Sequence, residues 1–254
     1  MTIGSKLYRT QTTSDSMAWA KEHIYDAPDG AIFLADTFTH ARGRQGRTWQ
    51  ISPGQLMVTI LLKPAQLASF SADDFAIRLN QLNMAISLGI LEPLKQYGVQ
   101  LKWPNDFVAQ HKKIGGMLVH VIWSGQEPLG AIVGFALNVN NEFTPDNELF
   151  PIAISLKTVT GTAQEMRPLY KNIVLSLNTW YTEWKEGHFL NIYKSWKEYQ
   201  AYLGTQLEIH QKDGSLIKGT AQQVMPNGDL LLVDHNKKQR IISFYQVDEI
   251  KIQP

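Results

Sequence analysis

Two tight-turn dipeptides near the C-terminus constrain the fold of this chain more than any other feature. Asp213-Gly214 and Asn227-Gly228 separate short runs of apolar and β-branched residues, as is typical of hairpin turns. Short strands joined in this way predict a small antiparallel β-barrel. We therefore expect a C-terminal barrel domain at 204–254 and a larger domain at 1–203. The predicted barrel strands are 205–210, 216–224, 229–233, 240–244 and 248–252.

The larger domain mixes helices with strands that arrive as hairpins. Apolar residues at helical spacing predict a long helix over 72–97, and Gly98 is a typical residue for its C-terminal cap. This order predicts an α+β fold, in which helices pack on a mixed, largely antiparallel sheet. The other predicted helices are 17–24, 168–185 and 188–199, and the predicted strands are 31–35, 55–62, 99–103, 107–109, 113–123 and 129–139.

Composition excludes several classes of protein. The 254 residues include no cysteine, which excludes disulfides, thiolate metal sites and a thioester intermediate on the enzyme. The formal charge of +1 does not favour a broad surface for nucleic acid or anionic lipid. No apolar run is long enough to span a membrane, and the N-terminus lacks a secretion signal. We expect a soluble cytoplasmic protein that binds neither DNA nor membranes.

Arginines and glycines alternate in the stretch 42–49. Guanidinium groups suit carboxylate and phosphate oxygens, and glycines allow a ligand to approach the backbone closely. The stretch predicts a mobile loop that orders around an anion, although a solvated surface loop is the other interpretation. It does not match the dinucleotide-binding fingerprint, because Ala41 replaces the first glycine and no helix is predicted after Gly46. The residues concerned are Arg42, Gly43, Arg44, Gly46, Arg47 and Trp49.

Two later segments carry polar side chains that the predicted hairpin brings together. In Lys102-Trp103-Pro104-Asn105-Asp106, proline favours an extended Trp103 and a turn that displays the Asn and Asp side chains. Lys113 begins the next strand, and Gly115 and Gly116 leave room for a ligand or a close backbone. Asn138, at the end of a later strand, is placed to reach a ligand along the sheet. Taken singly, the segment 102–106 is better explained as a surface turn, and the other two are typical of a bulged strand and a turn.

Taken in order, the segments 42–49, 102–106 and 113–118 resemble the biotin protein ligases, also called biotin–[acetyl-CoA-carboxylase] ligases. The motifs of that family are GRGRxGRxW, KWPND, K[LI][AG]GIL and a strand ending in GxGxN. The resemblance spans nearly the whole chain, because the family also ends in a small β-barrel. The chain starts almost directly at the catalytic domain and so looks like the monofunctional form, without a DNA-binding domain.

The resemblance implies a two-step reaction and a set of site residues. ATP and biotin, with Mg²⁺, would form biotinyl-5′-adenylate, and a lysine of a biotin carboxyl carrier domain would then attack it. The implied catalytic residues are Lys113, Arg44 and Asp106, and Asp106 is also the candidate magnesium ligand. The implied biotin-binding residues are Asp15, Ser16, Met17, Phe38, Arg42, Gly43, Arg44, Lys113 and Gly116. The implied ATP- or adenylate-binding residues are Arg47, Trp49, Lys102, Asn105 and Asn138.

The sequence leaves the oligomeric state open between monomer and homodimer. Four positions depart from the family pattern. Asp15 replaces a serine and Phe38 a glutamine expected near the ureido ring, while Ala41 and Ala136 replace motif glycines. None of these four is among the residues assigned to the chemistry.

Two alternatives have different sequence signatures. A lipoate or octanoate ligase of the same superfamily is expected to carry RRxxGGGxVxHD, which is absent. A non-catalytic ligand- or RNA-binding module could use the arginine loop for phosphates, but it is expected to be more basic.

Overall fold

The computed structural model describes residues 3–43, 46–64, 67 and 72–252. Its helices are α1 (Ser16–Glu22), α2 (Ala72–Leu91), α3 (Leu156–Thr160), α4 (Met166–Lys185) and α5 (Phe189–Glu198), with a 3₁₀ helix at Glu92–Tyr97. Its first seven strands are β1 (Leu7–Thr13), β2 (Ala31–Phe38), β3 (Gln55–Leu62), β4 (Gln100–Lys102), β5 (Asp106–Ala109), β6 (Lys112–Ser124) and β7 (Glu127–Asn138). The C-terminal strands are β8 (Gln206–Gln211), β9 (Leu216–Val224), β10 (Leu230–Val233), β11 (Gln239–Ile242) and β12 (Val247–Ile252).

The first seven strands form one mixed sheet in the order β1-β2-β3-β7-β6-β5-β4. Only the β1–β2 pair in this order is parallel, and the other neighbours are antiparallel. This architecture confirms the predicted α+β class with a largely antiparallel sheet. Strand β1 was not predicted, because its sequence LYRTQTT is mostly polar and lies at the sheet edge.

Helices cover both faces of this sheet. Along β3, the side chains of Val58, Ile60 and Leu62 belong to the large core that includes α2 and α4. Leu61 points the other way and packs with Ala20 of α1 in a smaller cluster. Alternate residues of a strand face opposite sides, so β3 is apolar throughout because both of its faces are buried.

The helix predicted over 72–97 consists of an α-helix followed by a 3₁₀ helix. The α-helix ends at Leu91, and Glu92–Tyr97 is a 3₁₀ helix. Pro93 has no N–H to continue the α-helical pattern, and its ring would clash with the carbonyl oxygen four residues earlier. Gly98 then caps the segment with a positive φ of 71°, as predicted.

Close packing of α2 on α4 depends on Gly89. A Cβ atom at this position would lie 2.7 Å from the Leu177 Cα, so a larger residue would push the two helices apart. Trp184 of α4 donates a hydrogen bond from Nε1 to the Arg78 carbonyl oxygen at 3.1 Å. These contacts fix the helical layer behind the strands that carry the site.

The last five strands form an antiparallel sheet in the order β11-β10-β9-β8-β12. Both predicted turn glycines, Gly214 and Gly228, have positive φ values of 83° and 90°. The small C-terminal β unit is therefore present. In the described residues β11 and β12 share no ladder, so this unit is an open antiparallel sheet and not a closed barrel.

Hydrogen bonds join the C-terminal sheet to the rest of the molecule. Trp103 Nε1 donates to the Gly228 carbonyl oxygen at 2.8 Å, and the Tyr193 hydroxyl donates to the Val224 carbonyl oxygen at 2.8 Å. The division into domains at residues 203 and 204 stays a prediction.

Within the part of the chain that the structure describes, no helix is both long and apolar enough to cross a membrane.

Candidate active site

A cavity of about 340 Å³ opens between the mixed sheet and the C-terminal sheet. Its wall combines the start of α1, the end of β2, residues 41–43 and 47–49 of the arginine loop (the stretch 41–49), the turn at 102–106 and parts of β3, β6, β7 and β12. The structure thus brings together most of the residues that the sequence assigned to a site. Those in the wall are Asp15, Ser16, Met17, Phe38, Arg42, Gly43, Arg47, Trp49, Lys102, Asn105, Asp106, Lys113 and Gly116.

Lys113 and Asp106 form an ion pair in this wall. Their strands are the two arms of the β5–β6 hairpin, and Lys113 Nζ lies 2.7 Å from Asp106 Oδ1. The lysine is also 5.4 Å from the centroid of the Trp49 ring. At Gly116, a Cβ atom would lie 3.2 Å from Asp106 Oδ1 and 3.4 Å from Lys113 Nζ. Because Gly116 has no side chain, the ion pair can occupy this space.

The turn at 102–106 is held on both sides. Asn105 donates from Nδ2 to the Met117 carbonyl oxygen, and its own carbonyl oxygen accepts from Met117 N at 2.9 Å. Trp103 is buried and bonds to the C-terminal sheet. The turn is thereby fixed between β6 and the C-terminal sheet, and this fixes the position of Asp106 at its end.

Lys102 is half-buried in the cavity wall. Its Nζ donates to the Ile250 carbonyl oxygen at 3.2 Å. Burial lowers the pKa of Lys102, the negative charge of Asp106 opposes this change, and the positive charge of Lys113 adds to it. An anionic ligand beside these two lysines would stabilise their charged forms.

The described part of the arginine loop is a short hairpin. Gly43 N donates to the Arg47 carbonyl oxygen at 2.7 Å, and Trp49 N donates to the Ala41 carbonyl oxygen at 2.9 Å. Arg47 Nη2 donates to Asp248 Oδ1 at 2.7 Å, and Arg42 forms an ion pair with Asp15. These bonds tie both flanks of the loop to neighbouring elements, and ordering of the loop around an anion stays a prediction.

A less polar part of the wall lies beside α1. The hydroxyls of Ser16 and Thr59 are 2.7 Å apart. Met17 packs against Gly134, where a Cβ atom would lie 2.9 Å from the Met17 sulfur. With Phe38, this region offers apolar contacts next to two hydroxyl groups, which suits a ligand with a small polar ring.

Two predicted residues are not found in the described cavity wall. Arg44 lies outside the described residues. Asn138 is buried, and its Oδ1 accepts hydrogen bonds from Gln55 Nε2 at 3.0 Å and from Asn141 Nδ2 at 3.2 Å. Its role as an adenylate contact stays a prediction.

Part of the wall was not predicted from the sequence. Thr59 carried a usable signal, because it is a hydroxyl residue inside an otherwise apolar strand. Residues 247–250 of the C-terminal sheet carried no such signal. The Ile250 group that bonds to Lys102 is a backbone carbonyl oxygen, which every residue type has. The other missed residues include His40, Thr48, Met57, Val58, Leu118 and Phe135.

The fold and the site define a class of protein. The model of the biotin/lipoate A/B protein ligase family matches residues 7–138, and the chain belongs to this family. It is 28% identical over 93% of its length to the bifunctional ligase/repressor BirA of Bacillus subtilis, and it covers 70% of that protein. It is 24% identical over 80% of its length to the biotin–[acetyl-CoA-carboxylase] ligase of Mycobacterium tuberculosis, of which it covers 73%.

A solved structure agrees in fold over almost the whole chain. The biotin protein ligase from Aquifex aeolicus, in complex with biotin and ATP, superposes with a TM-score of 0.81 and 24% identity. The match covers 98% of this chain and 100% of the Aquifex chain. The similarity therefore includes the C-terminal sheet, which lies beyond the family match.

Proposed function

We propose that this protein is an ATP-dependent biotin–[acetyl-CoA-carboxylase] ligase, which forms biotinyl-5′-adenylate and transfers biotin to a lysine of a biotin carboxyl carrier domain. One observation carries the proposal: a single cavity joins four cationic side chains to an apolar wall with hydroxyl groups. The cations suit a carboxylate and phosphates. The hydroxyls of Ser16 and Thr59 suit a urea ring, and Met17 and Phe38 suit its apolar surroundings. The cations are Arg42, Arg47, Lys102 and Lys113.

Lys113 is placed to stabilise charge in the first step. In that step a carboxylate oxygen of biotin forms a bond to the α-phosphorus of ATP, and the bond to the pyrophosphate oxygen breaks. Negative charge develops on the oxygens of the α-phosphate. A fixed ammonium beside these oxygens lowers the barrier without reorganising at the moment of reaction. Asp106 and the hairpin hold Lys113 in this orientation.

Asp106 is placed to act in the second step. The acceptor lysine must lose a proton before its nitrogen attacks the acyl carbon, after which AMP leaves. A carboxylate at the cavity wall can take this proton or orient the amine. Asp106 is half-buried and paired with Lys113, which supports this role.

Magnesium, when bound with ATP, neutralises phosphate charge and orients the leaving pyrophosphate. Mg²⁺ is commonly held by one or two carboxylates together with substrate phosphates. Asp106, Asp248 and Glu249 all line the cavity, so the donor set fits such an ion. We retain Asp106 as the candidate ligand.

The arginine loop shields the reactive adenylate from water in this proposal. Arg42 and Gly43 contact biotin and its activated carboxyl group, Arg47 the phosphates and Trp49 the adenine. Both flanks of the loop are bonded to acidic residues of neighbouring elements, which supports their position at the cavity wall. Use of ATP and of a carboxylase acceptor fits the cytoplasm as the location.

Transfer to an acceptor tests the proposal. The protein is incubated with ATP, Mg²⁺ and biotin together with a biotin carboxyl carrier domain, and a lipoyl domain serves as the control acceptor. We expect the carrier domain to gain one biotinyl group, seen by mass spectrometry, and the lipoyl domain to stay unmodified with either biotin or lipoate. Lipoylation of the lipoyl domain would favour the lipoate ligase alternative instead.

A further inference from the structure

Asp15 uses its two carboxylate oxygens for different purposes. Oδ1 accepts hydrogen bonds from Met17 N at 2.9 Å and Ala18 N at 3.1 Å, which caps the N-terminus of α1. Oδ2 forms an ion pair with Arg42 Nε at the start of the arginine loop. One side chain therefore ties a helix of the sheet layer to a loop of the cavity wall.

The ion pair is sheltered on its acidic side. The Asp15 side chain is only 11% exposed, whereas the Arg42 side chain is 62% exposed. The second loop anchor, between Arg47 and Asp248, has both partners about half exposed. Water screens exposed pairs and leaves them weak, so the sheltered carboxylate of Asp15 loses less of its attraction to Arg42 than a fully exposed one would.

The contact leaves Arg42 able to bind a ligand. Arginine has five N–H donors, and Asp15 engages the Nε side of the group. The terminal amino groups can still face a carboxylate or phosphate in the cavity, which both residues line. Asp15 can therefore stay bound to Arg42 when the ligand arrives.

Helix capping alone does not account for a carboxylate at this position. Serine and asparagine cap helices about as well as aspartate. The negative charge also interacts favourably with the dipole of α1, but the pair with Arg42 is what the charge adds to the loop.

We propose that Asp15 is a positioning residue, which holds Arg42 at the cavity wall before the ligand binds. Because the loop flank is already ordered, binding does not have to offset the entropy cost of ordering it. The affinity for the carboxylate substrate is therefore higher. The effect on adenylation rests on the proposed function, whereas the effect on the free loop does not.

The first test measures the loop without any ligand. Asp15→Asn keeps the helix cap and removes the charge, and Asp15→Ser is a second cap-preserving variant. Asp36→Asn is the matched control, because Asp36 pairs with Arg9 at 2.6 Å and lies outside the cavity wall. Trypsin cleavage after Arg42 is followed by mass spectrometry, and cleavage of a native protein reports the population of the open form.

We expect both Asp15 variants to be cleaved about fivefold faster than the parent, since a pair of this kind shifts an equilibrium by roughly that factor. The Asp36 control should match the parent. Equal cleavage of all variants would overturn the proposal, whether or not the protein proves to be a biotin ligase.

The second test uses adenylate formation. Asp15→Asn should raise the KM for biotin about fivefold with little change in kcat, because the pair acts on binding rather than on the reacting atoms. In an Arg42→Gln background the same change should have no further effect, since the two residues act as a pair. A lower KM in Asp15→Asn would overturn the proposal, because it would mean that Asp15 competes with the ligand for Arg42.

Discussion

Replacing Lys113 by methionine separates the chemistry of the site from its stability. The substitution keeps the length and apolar part of the side chain and removes the ammonium. Lys112→Met is the matched control, because the Lys112 Nζ binds the Phe150 carbonyl oxygen at 2.8 Å and lies 4.8 Å from the Phe150 ring centroid, outside the cavity wall. The two lysines are neighbours on one strand with different surroundings.

The two effects of the change differ in size. The Lys113 side chain is 40% exposed and that of Asp106 is 23% exposed, so loss of the ion pair should change the free energy of unfolding by at most about 1 kcal/mol. Loss of a preorganised group that stabilises charge in a transition state typically lowers kcat by roughly 10²–10³-fold. We expect Lys113→Met to stay folded and to lose adenylation.

The assay measures adenylate formation as pyrophosphate release, together with urea unfolding of each variant. Lys112→Met should keep the activity of the parent protein within about twofold, as expected for a surface change. A Lys113→Met protein that is folded and retains its full rate would refute the role assigned to this residue. A similar loss in both variants would show that the effect does not depend on the cavity.

Three further changes test other parts of the account. Trp103→Phe removes the donor to the buried Gly228 carbonyl oxygen and should lower the free energy of unfolding by about 1–3 kcal/mol in urea unfolding, because the acceptor is left unpaired; unchanged stability would contradict this. Lys102→Met removes a charge that burial disfavours, so it should stabilise the ligand-free protein at neutral pH while raising the KM for ATP about tenfold or more. The pKa of Lys102 is lower in the folded than in the unfolded chain, so the parent gains stability as pH rises between these two pKa values. The difference in stability between the variant and the parent should therefore shrink towards about pH 10. A difference that grows with pH would contradict the lowered pKa of Lys102. Gly116→Ala places a methyl group 3.2 Å from Asp106 Oδ1 and should lower kcat by about tenfold, as a displacement of positioned groups does, with thermal unfolding within a few degrees of the parent; an unchanged kcat would count against the role of the ion pair.

Sequence reasoning located the polar centre of the site because hairpin pairing is local. Lys113 and Asp106 are seven residues apart and lie on adjacent strands, so their contact follows from the turn between them. The same reasoning predicted the positive φ of Gly98 and Gly228. In each case the determining interaction lies within a few residues.

The features that were missed depend on long-range packing. The bond between Arg47 and Asp248 joins residues 201 positions apart, and no local pattern specifies it. Whether β11 pairs with β12 depends on the curvature of the whole C-terminal sheet, so the open sheet was not foreseen. Strand β1 was missed because a polar edge strand lacks the apolar signal that identifies buried strands.

The acid that the protein activates is the most direct test of the central claim. The measurement is pyrophosphate release in the presence of ATP and Mg²⁺, with biotin, lipoate and octanoate supplied separately. The account predicts release with biotin alone and the appearance of biotinyl-5′-adenylate. Release with lipoate or octanoate but not with biotin, or no release by the folded protein with any of the three acids, would contradict it.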